Sequence, residues 1–204
     1  MQSKKISSDV TGVILAGGRA QRMGGDDKGL VELAGKCMIS YVLDRLNRQV
    51  GAVLINANRN IERYQQFDWP VISDTMTGFL GPLAGMSVAM QAANTKYIIT
   101  APCDSPFLPT DYVQRMFDSL NNNEADLTVA TDGERWQPVF SLINIGLYDD
   151  LTAYLESGER KIDIWFRQHA VAEVDFSDRP EAFLNINTPQ DKADVELKLL
   201  EVTQ

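Results

Sequence analysis

Short apolar runs alternate with segments of helical period along most of this chain, and few folds accommodate that order. VTGVIL (10–15), GAVLINA (51–57), PVISD (70–74) and the start of KYIITAPCD (96–104) read best as buried strands. Between them, MISYVLDRLNRQ (38–49) places Ile39, Val42, Leu43 and Leu46 on one helical face, and a polar segment at 59–67 reads as a short helix. Pro82 follows Gly81 at a first helical position, with Leu83, Met86 and Met90 recurring at helical spacing. After Pro109-Thr110, residues Val113, Met116, Phe117 and Leu120 fall at i, i+3, i+4 and i+7.

The second half of the chain is less regular. ADLTVAT (125–131) and QPVFSLI (137–143), joined by a turn at Asp132-Gly133, read as two strands that add an antiparallel element. Residues 160–168 and 189–200 read as helices, VAEVDF (171–176) and FLNIN (183–187) as strands, and Thr188-Pro189-Gln190-Asp191 as an N-terminal cap. Strands separated by helices predict an α/β fold of three layers, a mostly parallel sheet covered on both faces. With no repeat, low-complexity tract or linker in the sequence, one domain over 1–204 is expected, with 1–9 as a flexible N-terminus.

Composition restricts the chemistry. The formal net charge of −9 disfavours nucleic acid and anionic membranes as partners. No apolar run approaches the roughly 20 residues that span a bilayer, and MQSKKISSDV has no apolar core of a secretory signal, so a soluble cytoplasmic protein is expected. Two cysteines, Cys37 and Cys103, are too few for a disulfide framework or a zinc site, and the one histidine, His169, sits in no motif. Met86 and Met90 read as core packing rather than a docking stripe.

The first strand runs directly into LAGGRAQRMGGDDKG (15–29), and that loop carries Arg19, Arg22 and Lys28 against Asp26 and Asp27. A local cationic loop can dominate the bulk negative charge within a Debye length of about 8 Å. Gly17, Gly18, Gly24 and Gly25 let backbone N–H groups approach a ligand closely, and Arg22 and Lys28 add full charge beside those amides. Backbone donors and cations without a nucleophile suit a polyphosphate; a mobile loop with solvated charges is the alternative. Neither the Walker pattern nor G-x-G-x-x-G fits, since Lys28 lies between Asp27 and Gly29 and no two glycines are two apart. Ligands of open α/β sheets bind beyond the carboxyl ends of the strands, where Asp74 and Asp104 also fall.

The stretch from Leu15 to Lys28 resembles the nucleotidyltransferase signature L-A-G-G-x-x-x-R-M-G…K. VLINANR (53–59), VISD (71–74), GPLAGM (81–86), APCDSPFLP (101–109) and FLNINTP (183–189) extend the resemblance over nearly the whole chain. Together they are similar to the molybdenum cofactor guanylyltransferases, the MobA family. The resemblance implies a Rossmann-like nucleotidyltransferase domain. It implies an enzyme that transfers GMP from GTP to molybdenum-loaded molybdopterin, releasing pyrophosphate and forming the guanine dinucleotide cofactor. Rival enzymes sharing much of the pattern are a CTP-dependent cytidylyltransferase on the same cofactor and a sugar-nucleotide pyrophosphorylase; a regulatory nucleotide-binding protein is the non-enzymatic rival.

The resemblance also implies roles. Asp104 holds Mg²⁺, or in the plain reading satisfies backbone amides before Pro106. Lys28 and Arg22 neutralise the pyrophosphate leaving group. Leu15, Ala16 and Gly17 offer backbone groups to the nucleotide, Gly18 lets the chain turn, and GPLAG lets the backbone close on the base. Asn56 and Asp74 contact the guanine or ribose, Asp74 alternatively the metal. Asn185 and Asn187, two apart and so on one side of the predicted strand, belong to the pterin end. Contacts with other cofactor-synthesis proteins and apo-molybdoenzymes are further implied.

Overall fold

The computed structural model describes residues 8–16, 27–75, 81–184, 186 and 189–202. Its strands, in chain order, are β1 (Val10–Leu15), β2 (Glu32–Leu33), β3 (Lys36–Cys37), β4 (Ala52–Asn56), β5 (Val71–Ile72), β6 (Tyr97–Pro102), β7 (Leu127–Thr131), β8 (Trp136–Asn144) and β9 (Val171–Asp175). Seven of them form one sheet in the order β5-β4-β1-β6-β8-β7-β9, and β2 pairs with β3 separately. β5, β4, β1 and β6 are mutually parallel, β8 runs antiparallel to both β6 and β7, and β9 is parallel to β7. The sheet is therefore mostly parallel, as the alternation of elements predicts, with the antiparallel element where the Asp132-Gly133 turn was expected. At that turn Asp132 Oδ1 accepts from the backbone N–H of Glu134 and Arg135.

Strand alternation sorts the core into two layers. Val10 and Ile14 of β1 face the same side as Ile99 and Ala101 of β6, together with Ile39, Val42 and Leu46 of the helix Met38–Leu46 and Val113 and Met116 of the helix Tyr112–Asn122. Val13 and Leu15 face the other side, against Leu83, Met86 and Met90 of the helix Pro82–Ala92 and Leu151 and Leu155 of the helix Tyr148–Glu156. The methionines of Pro82–Ala92 are core residues, since that helix is packed between the sheet and Tyr148–Glu156. His169 is structural too: its Nε2 lies 3.1 Å from Asp150 Oδ1 and its ring meets Trp165 edge-on.

A third, smaller core joins Leu33, Met38 and Phe107 to Ile186 and to Val195 and Leu199 of the helix Pro189–Val202. The β2–β3 hairpin that contributes Leu33 was not foreseen. It turns at Ala34 and Gly35, both at positive φ (47° and 81°), and Glu196 accepts from the Ala34 N–H. The expected strand at 183–187 is a correction. Pro180–Phe183 is a 3-10 turn, and neither Leu184 nor Ile186 belongs to a strand. Phe183 is partly buried, edge-on against Phe140 and Phe176, so ring packing rather than strand pairing takes up its apolar surface. Thr188 of the expected cap lies outside the described residues.

Candidate active site

Register brings the strand ends to one level. Leu15 lies opposite Asn56 on one side and Pro102 on the other, and Asn56 lies opposite Ile72. Asp74 and Asp104 each follow two residues beyond those rungs, and Ala16 one residue beyond its own. The chain moves from β1 to β4 on one flank while β6 lies on the other, so this edge is also where the strand order reverses. Crevices of that kind hold ligands in open α/β sheets.

Leu15 and Ala16 are partly committed to the ladder. The Ala16 N–H donates to the Asn56 carbonyl at 2.8 Å, and the Leu15 carbonyl accepts from the Cys103 N–H at 3.2 Å. Among the described residues, the Ala16 carbonyl and the second lone pair of the Leu15 carbonyl have no further donor.

Asn56 and Asp74 meet directly. The Asn56 amide donates to Asp74 Oδ1 at 2.9 Å; Asn58 donates to Oδ2 at 2.7 Å and accepts from the Asp74 N–H at 2.8 Å. The carboxylate is thus fixed from both oxygens. Asn58, two residues after Asn56, was not singled out from sequence, although the N-A-N spacing was the signal. Asn56 is buried because Gly85 leaves room for it: a Cβ at Gly85 would stand 2.3 Å from Asn56 Oδ1 and 2.9 Å from a Leu15 methyl. Within GPLAG, Gly85 therefore makes space for the Asn56 side chain.

At the other end of the edge, Lys28 Nζ donates to Asp104 Oδ2 at 2.9 Å, with the side chains 27% and 12% exposed. This is the only hydrogen bond to the Asp104 side chain among the described residues. Lys28 opens a 3-10 turn, Lys28–Leu30, and Asp27 precedes it with its carboxylate buried on Tyr64, Asn60 and Arg59. Beside Asp104, the Cys103 thiol is pushed well up by burial first, then by Asp104 and Asp27, while Lys28 pulls the other way. It stays a protonated thiol, a poor nucleophile. Gly17, Gly18, Arg22, Asn185 and Asn187 lie outside the described residues. Ile186, between the two asparagines, is buried in the core that also holds Phe107.

A cation beside a carboxylate, and a second carboxylate clamped by amides, thus lie at the switch point of a mostly parallel, Rossmann-like sheet, the place where such folds bind nucleotides. Residues 12–173 match the family model described as the MobA-like NTP transferase domain. A molybdenum cofactor guanylyltransferase of Shewanella sp. (strain MR-4) is 53% identical over 187 residues, spanning 92% of this chain and 95% of its own. Another of that name, from Shewanella sp. (strain W3-18-1), is 50% identical over 95% of this chain and 99% of its own. In fold, the chain is similar to the crystal structure of molybdopterin-guanine dinucleotide biosynthesis protein A from Archaeoglobus fulgidus, with a TM-score of 0.78 at 21% identity, covering 94% of this chain and 99% of that one. The chain belongs to the molybdenum cofactor guanylyltransferase family of MobA-like NTP transferases.

Proposed function

We propose that the protein transfers GMP from GTP to molybdenum-loaded molybdopterin in the cytoplasm, giving the guanine dinucleotide cofactor and pyrophosphate. The observation that carries this reading is the Lys28–Asp104 pair at the carboxyl end of the sheet, between β1 and β6. The names of the relatives supply the substrates.

A terminal phosphate oxygen of the acceptor attacks the α-phosphorus of GTP. The new P–O bond forms as the bond to the bridging oxygen breaks, and pyrophosphate leaves with that electron pair. The nucleophile comes with the acceptor, so the protein's work is positioning and charge neutralisation. In this reading Lys28 and Arg22 neutralise the pyrophosphate. Leu15, Ala16 and Gly17 offer backbone groups to the nucleotide, and Gly18 lets the chain turn. Asp74, an acceptor held by Asn56 and Asn58, takes the guanine ring N–H and exocyclic amino group, a pair of donors that cytosine cannot present. Asn185 and Asn187 serve the pterin end, their amides matching the mixed donors and acceptors of a pterin edge.

Mg²⁺ is the metal we assign. Asp27 and Asp74 have both oxygens committed to protein donors, whereas among the described residues Asp104 has Lys28 alone, on Oδ2. Among the described residues no group of three or more metal-ligating side chains forms a cage. That donor set fits an ion held by one or two carboxylates together with substrate phosphates and water. When bound, the ion supplies neutralisation of phosphate charge. Asp104 would hold it, and Lys28 would keep that carboxylate oriented.

The test is a transfer assay with the purified protein, Mg²⁺, molybdenum-loaded molybdopterin and either GTP or CTP, read by pyrophosphate release and product mass. GTP-dependent formation of the guanine dinucleotide is expected; turnover with CTP alone would assign the cytidylyltransferase instead. Other cofactor-synthesis proteins and apo-molybdoenzymes are the partners we propose for supply and delivery.

A further inference from the structure

Asp27 belongs to the signature loop, yet the chemistry above leaves it unused. Its side chain is only 2% exposed, and its three partners come from one short stretch of chain. Tyr64 donates its hydroxyl to Oδ1 at 2.5 Å, Asn60 donates its amide to Oδ2 at 3.0 Å, and Arg59 Nε lies 3.5 Å from Oδ2. A buried carboxylate is costly unless donors compensate it, and here one cation and two neutral donors do so. All three follow β4, so the network ties the end of the signature loop to the strand that carries Asn56.

The residue on the other side of Lys28 is held by the same side chain. A Cβ on Gly29 would stand 2.7 Å from the Tyr64 hydroxyl oxygen and 3.2 Å from Cys103 Sγ. Tyr64 therefore touches both chain neighbours of Lys28, and Cys103 is the residue before Asp104. Tyr64 is fully buried, and burial first, then Cys103 and the bond to Asp27, pushes its phenol far above the ordinary range, so it stays a donor. Asn60 adopts a left-handed backbone (φ 50°) that gives its side chain the angle to reach Asp27.

Lys28 reaches Asp104 on a flexible four-carbon stem, so the place of its ammonium depends on where its backbone is held. Asp27 itself, an anion, would repel a triphosphate rather than bind one. We propose that Tyr64 and Asp27 are positioning residues for Lys28. Their hydrogen bond, with Gly29 packed on the same hydroxyl, holds the Lys28 backbone where its ammonium meets both Asp104 and the departing pyrophosphate. The proposal rests on the reading of Lys28 given above.

The test is a double-mutant cycle of Tyr64→Phe with Lys28→Ala. It is followed by kcat for GMP transfer and by the GTP dissociation constant, at a temperature where each variant is folded by circular dichroism. A misplacement of about 1 Å at a reacting group costs on the order of 100-fold in rate, so Tyr64→Phe should lower kcat about 10- to 100-fold. Its GTP dissociation constant should stay within about threefold, since positioning of Lys28 acts mainly on the transition state. In the Lys28→Ala background the same change should add little, because its effect passes through Lys28. Asn60→Gly keeps the left-handed backbone, removes one donor to Asp27, and should act in the same direction if Tyr64→Phe does not fold. Wild-type kcat in folded Tyr64→Phe, or effects that multiply across the cycle, would overturn the proposal alone. An unchanged rate in Lys28→Ala would overturn the reading of Lys28 beneath it.

Discussion

Gly85→Ala is a one-methyl change in the helix Pro82–Ala92, placed against the residue that orients Asp74. The added Cβ would stand 2.3 Å from Asn56 Oδ1 and 2.9 Å from both Asn56 Cγ and a Leu15 methyl, so Asn56 must move. Overpacking of this kind costs about 1–3 kcal/mol. Replacing glycine by alanine inside a helix returns about 1 kcal/mol, leaving a net destabilisation of about 0–2 kcal/mol. The fold should survive. The site should not, because the shifted Asn56 releases Asp74 Oδ1, which it holds at 2.9 Å. A hydrogen bond to a charged acceptor is worth about 1.5–3 kcal/mol, and each 1.4 kcal/mol is about tenfold in affinity. GTP should therefore bind roughly 10- to 100-fold more weakly, measured by calorimetric titration in Mg²⁺ on protein shown to be folded. Wild-type GTP affinity in folded Gly85→Ala would refute the role given to the Asn56–Asp74 pair.

Lys28→Ala should lower kcat by about 10²- to 10³-fold, the usual loss when one charge-stabilising group is removed from a reacting centre. Its melting temperature should fall somewhat, since Asp104 is buried and loses the one hydrogen-bond partner it has among the described residues. Asp104→Asn should abolish Mg²⁺-dependent turnover while the protein stays folded; Mg²⁺-dependent activity near the wild-type rate would remove the metal assignment. Asp132 should titrate at about 2 by carboxyl NMR, held below the carboxylate value of 3.8 first by the Arg135 and Glu134 backbone N–H groups. Its contribution to the β7–β8 turn is present above the unfolded value and is lost as pH falls through about 2.

Local pattern revealed the parallel half of the sheet because β1, β4 and β6 are short apolar runs between helices of clear period. It revealed the strand-end placement of Asn56, Asp74 and Asp104 for the same reason. The hairpin at Ala34-Gly35 escaped because each of its strands is two residues long, too short for alternation to register. FLNIN looks like a strand, but Phe183 packs edge-on against Phe140, a ring far away in sequence, as well as against the nearby Phe176. The same holds within the site. Lys28 and Asp104 are visible as charges after strands, whereas the burial of Asp27 depends on Tyr64, 37 residues away. The reason for Gly85 is likewise a long-range contact, with Asn56.

The most direct measurement is thermal unfolding of the protein with Mg²⁺ and GTP, CTP, UTP or ATP in turn, repeated with Asp74→Asn. A ligand at 100 times its dissociation constant adds about 2.7 kcal/mol of stability, well above detection. Stabilisation by GTP over the other three, lost or levelled in Asp74→Asn, is the expected result. Equal stabilisation by all four, or none by any at millimolar concentration, would contradict a guanine nucleotide held at this edge of the sheet.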